Sequence, residues 1–200
     1  WPGRPARGSR RAVSKSSGSP LADDSNTMST PRLLYAVARA IAPLDGRSKK
    51  KTAGVAELLE DAIEDEAADV RREALRTLWA LRKDDPAAVI DRALAARFPD
   101  VRRRAVDELV ARKKDPASLD KLKGAVGDRD AGVGGAAYDA LVEIAGKDKP
   151  GAHLAAIASV HVDLREKGAR GAASAPESDV RSALTKLLED ESAAVRVAAI

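Results

Sequence analysis

Asp69-Val70-Arg71-Arg72-Glu73-Ala74-Leu75-Arg76-Thr77-Leu78 returns further along the chain as Asp100-Val101-Arg102-Arg103-Arg104-Ala105-Val106-Asp107-Glu108-Leu109. Two copies of one amphipathic helix start, a short period apart, are the mark of a repeat array. With Val70 as the origin, the equivalent residues are Val101, Val133, Leu164 and Val195, in steps of 31, 32, 31 and 31 residues. Four residues on, the column holds only small side chains: Ala74, Ala105, Ala137, Gly168 and Ala199. Eight residues on come Leu78, Leu109, Leu141 and Ala172. These three columns share one helical face, and the small one lets a neighbouring helix come close.

A second stripe lies upstream in every unit. Ile63, Leu94, Val126, Ile157 and Leu188 stand seven residues before the origin, and Ala62, Ala93, Ala125, Ala156 and Leu187 stand eight before it. Eleven before it are Leu59, Ile90, Leu122, His153 and Leu184. This spacing is again helical. Short polar breaks such as Glu64-Asp65-Glu66 and Gly127-Asp128-Arg129-Asp130 separate the stripes. Each unit therefore reads as a helix A, a tight turn and a helix B. One such pair cannot bury its apolar face alone, but stacked pairs form a continuous core. The expected fold is all-α, an α-solenoid of antiparallel helix pairs.

Helix pairs with Asp-Val-Arg-x-x-Ala at the second helix resemble HEAT repeats. The short period resembles the bacterial HEAT-like subtype found in phycobilisome lyases. The resemblance covers about residues 53–200. It implies that Asp69, Asp100 and Asp163 cap helix B by accepting backbone N–H bonds. It also implies that Arg71, Arg102, Arg165 and Arg196 build an inter-repeat ladder with such aspartates. The third unit departs from the pattern, with Gly132, Gly134 and Gly135 near the start of its helix B. Glycine in a helix costs about 0.5–1 kcal/mol relative to alanine, so a weakened ladder or a bend is expected there.

Composition fits such an array. Apolar residues make up 44% of the chain but aromatic residues only 2%, so the core is built from Ala, Leu, Val and Ile. Cysteine is absent, which excludes disulfides and thiol chemistry. No run of about 20 apolar residues exists to span a membrane, and no apolar secretory signal opens the chain. A cytoplasmic protein is expected, and the Ala and Arg usage suggests a bacterial source. The chain starts at Trp1 and stops within the fifth helix B, so a fragment is expected. The net charge of +4 is unevenly spread. Residues 1–52 hold 11 Lys/Arg against 3 Asp/Glu, leaving 24 against 28 in residues 53–200. The basicity belongs to the leader.

Three regions follow. Residues 1–28 read as a disordered basic leader, rich in Arg, Ser, Gly and Pro. Residues 29–52 read as a capping helix, opened by Ser29-Thr30-Pro31, and a basic loop ending in Lys49-Lys50-Lys51. Residues 53–200 read as the array, truncated at its C-terminus. Pro86, Pro116 and Pro150 lie near successive helix A starts, where proline is tolerated. A shortened helix B is expected in unit four, with Gly168 and Gly171 ahead of Pro176.

No constellation for chemistry is found. His153 occupies a core column and His161 lies near a turn, and neither belongs to a cluster with metal-ligand spacing. Gly132-Val133-Gly134-Gly135 lacks the strand and lysine of a phosphate loop. The expectation is a non-enzymatic protein without cofactor or metal, and a scaffold for a protein or peptide partner. In HEAT-like arrays helix B lines the concave face. Its free positions offer Arg72, Arg76, Trp79, Arg103 and Arg104 as partner-binding residues, since Trp and Arg are enriched in binding hot spots. The alternative reading is that Trp79 packs against the adjacent repeat and the arginines are merely solvated. A second reading is nucleic-acid binding through a basic groove and the N-terminal arm. The net acidic repeats and the scarcity of aromatics for stacking stand against it. The phycobilin lyases suggest a third, enzymatic reading that rests on the repeat alone.

Overall fold

The computed structural model describes residues 49–112, 115–144, 149–173 and 177–200. The expected leader at 1–28, and all but residues 49–52 of the expected capping helix and basic loop at 29–52, lie outside the described residues. Among the described residues the chain is all helical, with ten α-helices and no strand. They are α1 (Lys49–Ala62), α2 (Ala68–Leu81), α3 (Pro86–Leu94), α4 (Pro99–Ala111), α5 (Pro116–Ala125), α6 (Ala131–Ile144), α7 (Lys149–Ile157), α8 (Val162–Ala172), α9 (Ser178–Leu187) and α10 (Ala193–Ala198). Odd-numbered helices are the A helices and even-numbered ones the B helices. α1 opens at Lys49, so helix extends upstream of the boundary read at residue 53.

The fold is an α-solenoid. α1 packs on α2, α3 on α4, α5 on α6 and α7 on α8, giving the hairpins. The B helices then stack in order, α2 on α4, α4 on α6, α6 on α8 and α8 on α10. Local chemistry sets the helix starts. Pro86 and Pro116 open α3 and α5, and the Asp85 and Asp115 carboxylates accept from the backbone N–H of Ala88 and Ala117.

The sequence columns become the core. Val70, Val101, Val133, Leu164 and Val195 are all buried, as are Ala74, Ala105 and Ala137 of the small column. Three apolar clusters overlap along the stack, the first joining units one and two, the second units two to four, and the third units four and five. Unit five departs from the pattern, since Leu187 is buried but its neighbour Leu188 is 45% exposed.

Unit three corrects the expectation of a bend, while the ladder arginine is indeed missing there, at Gly134. α6 runs unbroken from Ala131 to Ile144 in spite of its glycines. A Cβ on Gly134 would sit 2.8 Å from the Val126 carbonyl oxygen and 3.1 Å from Leu164 Cδ1. The glycine is therefore a contact that lets α6 press against the turn before it and against α8. Gly168 of the small column serves the same end, because a Cβ there would meet the Ile157 nitrogen and Ala156 Cβ at 2.8 Å. Gly135 faces open space instead. Helix α8 has 11 residues against 14, 13 and 14 for α2, α4 and α6, so helix B of unit four is shorter than the three before it.

Substitution of the two adjacent glycines should therefore give opposite results. Gly135→Ala should raise stability by about 0.5–1 kcal/mol through helix propensity. Gly134→Ala should lower it by roughly 1–3 kcal/mol through overpacking against backbone. Thermal unfolding of the two variants checks both signs.

Candidate functional site

In units one, two, four and five the residue one past the origin is an arginine whose side chain is heavily bonded. Arg71 Nη1 donates to the Asp65 and Glu66 carbonyls at 2.8 and 2.9 Å. Arg102 Nη1 donates to Ala96 and Arg97 at 2.9 and 2.8 Å. Arg165 Nη1 donates to Ser159 and Val160 at 3.2 and 3.0 Å, and Arg196 Nη1 to Asp190 and Glu191 at 2.7 and 3.1 Å. Each thus holds two carbonyls of the A–B turn that the turn itself leaves without a partner.

The other edge of the guanidinium reaches the next unit. Arg71 Nε donates to Asp100 at 3.0 and 3.2 Å. Arg102 forks onto Asp128 through Nε at 2.7 Å and Nη2 at 2.8 Å. Arg165 forks onto Asp190 at 2.8 and 3.1 Å and adds Glu191 at 3.1 Å. Such bidentate charge-assisted bonds are the strong kind.

The acids differ from those read in the sequence. Asp69, Asp100 and Asp163 do not cap helix B. The boundary residues of α2, α4 and α8 are Ala67, Phe98 and His161, with no side-chain cap bond. The helices begin early enough to carry the three aspartates inside the first turn, where their charge complements the helix dipole. Asp69 pairs with Arg72 of its own helix, and Asp100 receives Arg71. The remaining ladder acids, Asp128 and Asp190, stand five residues before the origin, in the turn. They also accept the backbone N–H of Asp130 and Ser192 at 2.8 and 2.9 Å, tying off the turn itself. That column reads Asp65, Ala96, Asp128, Ser159 and Asp190. The acid is absent at Ala96 in unit two, where Asp100 takes its place, and at Ser159 in unit four, which faces the joint whose arginine is replaced by Gly134.

Gly134 removes the arginine from unit three. Nε2 of His161, from the following unit, lies 2.8 Å from the Asp128 carbonyl oxygen, the position the arginine serves elsewhere. A carbonyl only accepts, so this nitrogen carries the proton. His153 lies buried in the same joint, 3.0 Å from the Tyr138 hydroxyl, and a Cβ on Gly171 would fall 2.4 Å from its ring.

The electrostatics follow from burial. The Arg102 and Asp128 side chains are 5% and 10% exposed. Burial by itself would raise the Asp128 carboxyl. Hydrogen bonds from Arg102 and from the Asp130 N–H, with the charges of Arg102 and Arg129, outweigh it and hold the carboxyl below its ordinary value. Asp190 is lowered chiefly by its bonds from Arg165 and then from the Ser192 N–H. Asp100, receiving Arg71, is 46% exposed.

The expected partner-binding residues lie elsewhere on helix B. Arg72, Arg76, Arg103 and Arg104 are exposed, and each stands beside an acid of its own helix: Asp69, Glu73, Asp107 and Asp107. Exposed in-helix pairs of this kind contribute roughly 0.3–0.5 kcal/mol. Arg103 also reaches the Gly132 carbonyl at 3.4 Å. Trp79 follows the packing alternative rather than that of a projecting anchor. It is partly buried against the core of units one and two, and its buried indole N–H has no acceptor among the described residues. Arg72 and Arg104 line opposite walls of a groove between α2 and α4, together with Ala68, Arg71, Leu75, Asp100 and Val101. Its volume is about 380 Å³. Among the described residues, no group of three or more His, Cys, Asp or Glu side chains is placed to hold a metal ion. No described helix is long and apolar enough to cross a membrane.

The model of the HEAT repeats family matches residues 86–163, from the start of α3 into α8. The match supports a HEAT-repeat family for the array, over less than half of the chain. None of the curated proteins compared with the chain matches it.

The buried rung should govern acid stability. Carboxyls held below their ordinary value contribute stability that is present above about pH 4, and it is lost as pH falls through the folded-state value. Asp128→Asn should flatten that acid limb in a pH series of thermal melts. At neutral pH, Asp128→Ala should cost about 3–5 kcal/mol by leaving Arg102 buried and unpaired. Asp100→Ala should cost less, because water reaches its rung.

Proposed function

We propose that the array is a non-enzymatic interaction scaffold. Its exposed helix-B face, the concave one in a HEAT-like stack, binds a protein or peptide. Arg72, Arg76, Arg103 and Arg104 make the polar contacts, and Trp79 forms part of the apolar floor. HEAT repeats in general mediate protein interactions, and the match over residues 86–163 makes this the natural class. The 31- to 32-residue step favours the short-period bacterial subtype, working in the cytoplasm.

The observation that carries the reading is the division of the arginines. Arg71, Arg102 and Arg165 have their donors committed to turn carbonyls and ladder acids. Arg72, Arg76, Arg103 and Arg104 stand outside the ladder in weak exposed pairs, free to exchange partners. A nucleic-acid reading draws less support. Each exposed arginine of this face stands beside a carboxylate, so the face has no continuous basic track for a phosphate backbone.

The test is a pull-down from nuclease-treated lysate of the source cell, using the chain and its Arg72→Glu/Arg103→Glu variant. Capture of a protein by the chain and its loss in the variant, with helicity unchanged by circular dichroism, is the expected result. Equal capture by both would remove this face. Capture that vanishes with nuclease would replace the reading with nucleic-acid binding.

A further inference from the structure

The groove between α2 and α4 lies at the joint where the ladder is built differently. At the joints after units two and four the acid comes from the turn and is buried, 10% exposed for Asp128 and 8% for Asp190. At the joint after unit one Ala96 leaves the turn without an acid, and Asp100 supplies it from the first turn of α4. The result is a half-exposed rung, with the guanidinium of Arg71 stacked 3.9 Å from the Phe98 ring centre.

We propose that this groove is the docking point for an acidic segment of the partner protein. A single Asp or Glu carboxylate would be held between Arg72 and Arg104, with a neighbouring apolar side chain against Leu75 and Val101. The inference rests on the scaffold reading and adds the chemistry of the partner.

Charge complementarity carries it. Three guanidinium groups and one carboxylate line the groove. Arg71 is spent on Asp100 and on two carbonyls, so the net attraction comes from Arg72 and Arg104. Their side chains are 67% and 64% exposed. Arg104 is the less committed of the two. Its ionic contact among the described residues is Asp107 at 3.8 Å, outside hydrogen-bond distance, and Asp107 is shared with Arg103. An incoming carboxylate meets an open Arg104, shares Arg72 with the exposed Asp69 and gains charge-assisted bonds from two walls. The size agrees, since about 380 Å³ lies near the lower end of ligand-site volumes and suits a short stretch of peptide. Asp100 in the wall disfavours a doubly charged phosphate and leaves a single carboxylate as the matching anion.

The experiment selects random dodecapeptides displayed on phage against the whole chain. Selected peptides are then titrated against the chain and its Arg72→Gln/Arg104→Gln variant at low and moderate salt. Both substitutions lie on exposed side chains outside the ladder, so helicity should be retained, and circular dichroism checks it. The expected result is a consensus with one fixed Asp or Glu beside an apolar residue. Affinity should fall by about tenfold or more in the variant and weaken with salt. A consensus without an acidic position, or binding that survives the double substitution, would overturn the groove while leaving the scaffold reading in place. Failure to select any peptide would count against both.

Discussion

Everything in this array depends on one guanidinium doing two jobs at once. An A–B turn leaves two carbonyls pointing into the stack, and the next unit must be fixed in register against it. Arg71, Arg102 and Arg165 meet both needs with opposite edges of a single planar group. A lysine offers a point charge on a flexible stem and could not reproduce that fork. The apolar columns drive the stacking, but they are built of Ala, Val and Leu at a repeating spacing, and shape alone tolerates a slide of one unit on another. A fork with fixed donor geometry limits that freedom.

The exception shows what the constraint is. At Gly134 the arginine is missing, and two things replace it. The turn comes close enough for the Val126 carbonyl to pack on the glycine, and His161 bonds to the Asp128 carbonyl from the opposite side. The apolar cluster runs unbroken from Val133 across the joint to Leu164. A polar link has been traded for closer packing, with the Asp128 carbonyl still bonded. Where the acid is missing instead, at Ala96, the chain keeps its arginine and recruits Asp100. That choice leaves the rung open to water and a groove beside it.

Much of the fold was legible because it rests on periodicity. The columns headed by Val70, by Ala74 and by Ile63 are core columns in space, and helix starts at Pro86 and Pro116 need only local chemistry. The polar detail was harder to read. Asp69 and Asp100 look like caps, since a short acidic side chain stands just before the first apolar residue. The helices begin two residues earlier; Pro99, at the first position of α4, is a local sign of it, and α2 has no such proline. The true ladder acids lie 25 to 29 residues beyond their arginines, so finding them needs the stacking offset between units. The column of Asp65, Asp128 and Asp190 did hold that signal. The glycines of unit three misled for a different reason: helix propensity describes an isolated helix, and a close contact from a neighbouring unit outweighs it. Trp79 was legible as unusual, and of the two readings its position allowed, packing against the adjacent repeat is the one its partial burial supports.

The most direct test is residue-resolved amide hydrogen exchange of the chain and an Arg102→Met variant. Methionine keeps much of the buried stem and removes both sets of bonds. If the arginine unites turn and joint, protection should fall in the turn at residues 96–98 and at the adjoining turn at 128–130, while α9 and α10 keep theirs. Unchanged exchange in both turns would show that apolar stacking alone sets the register. Loss at 96–98 alone would show that the fork to Asp128 contributes nothing to the joint.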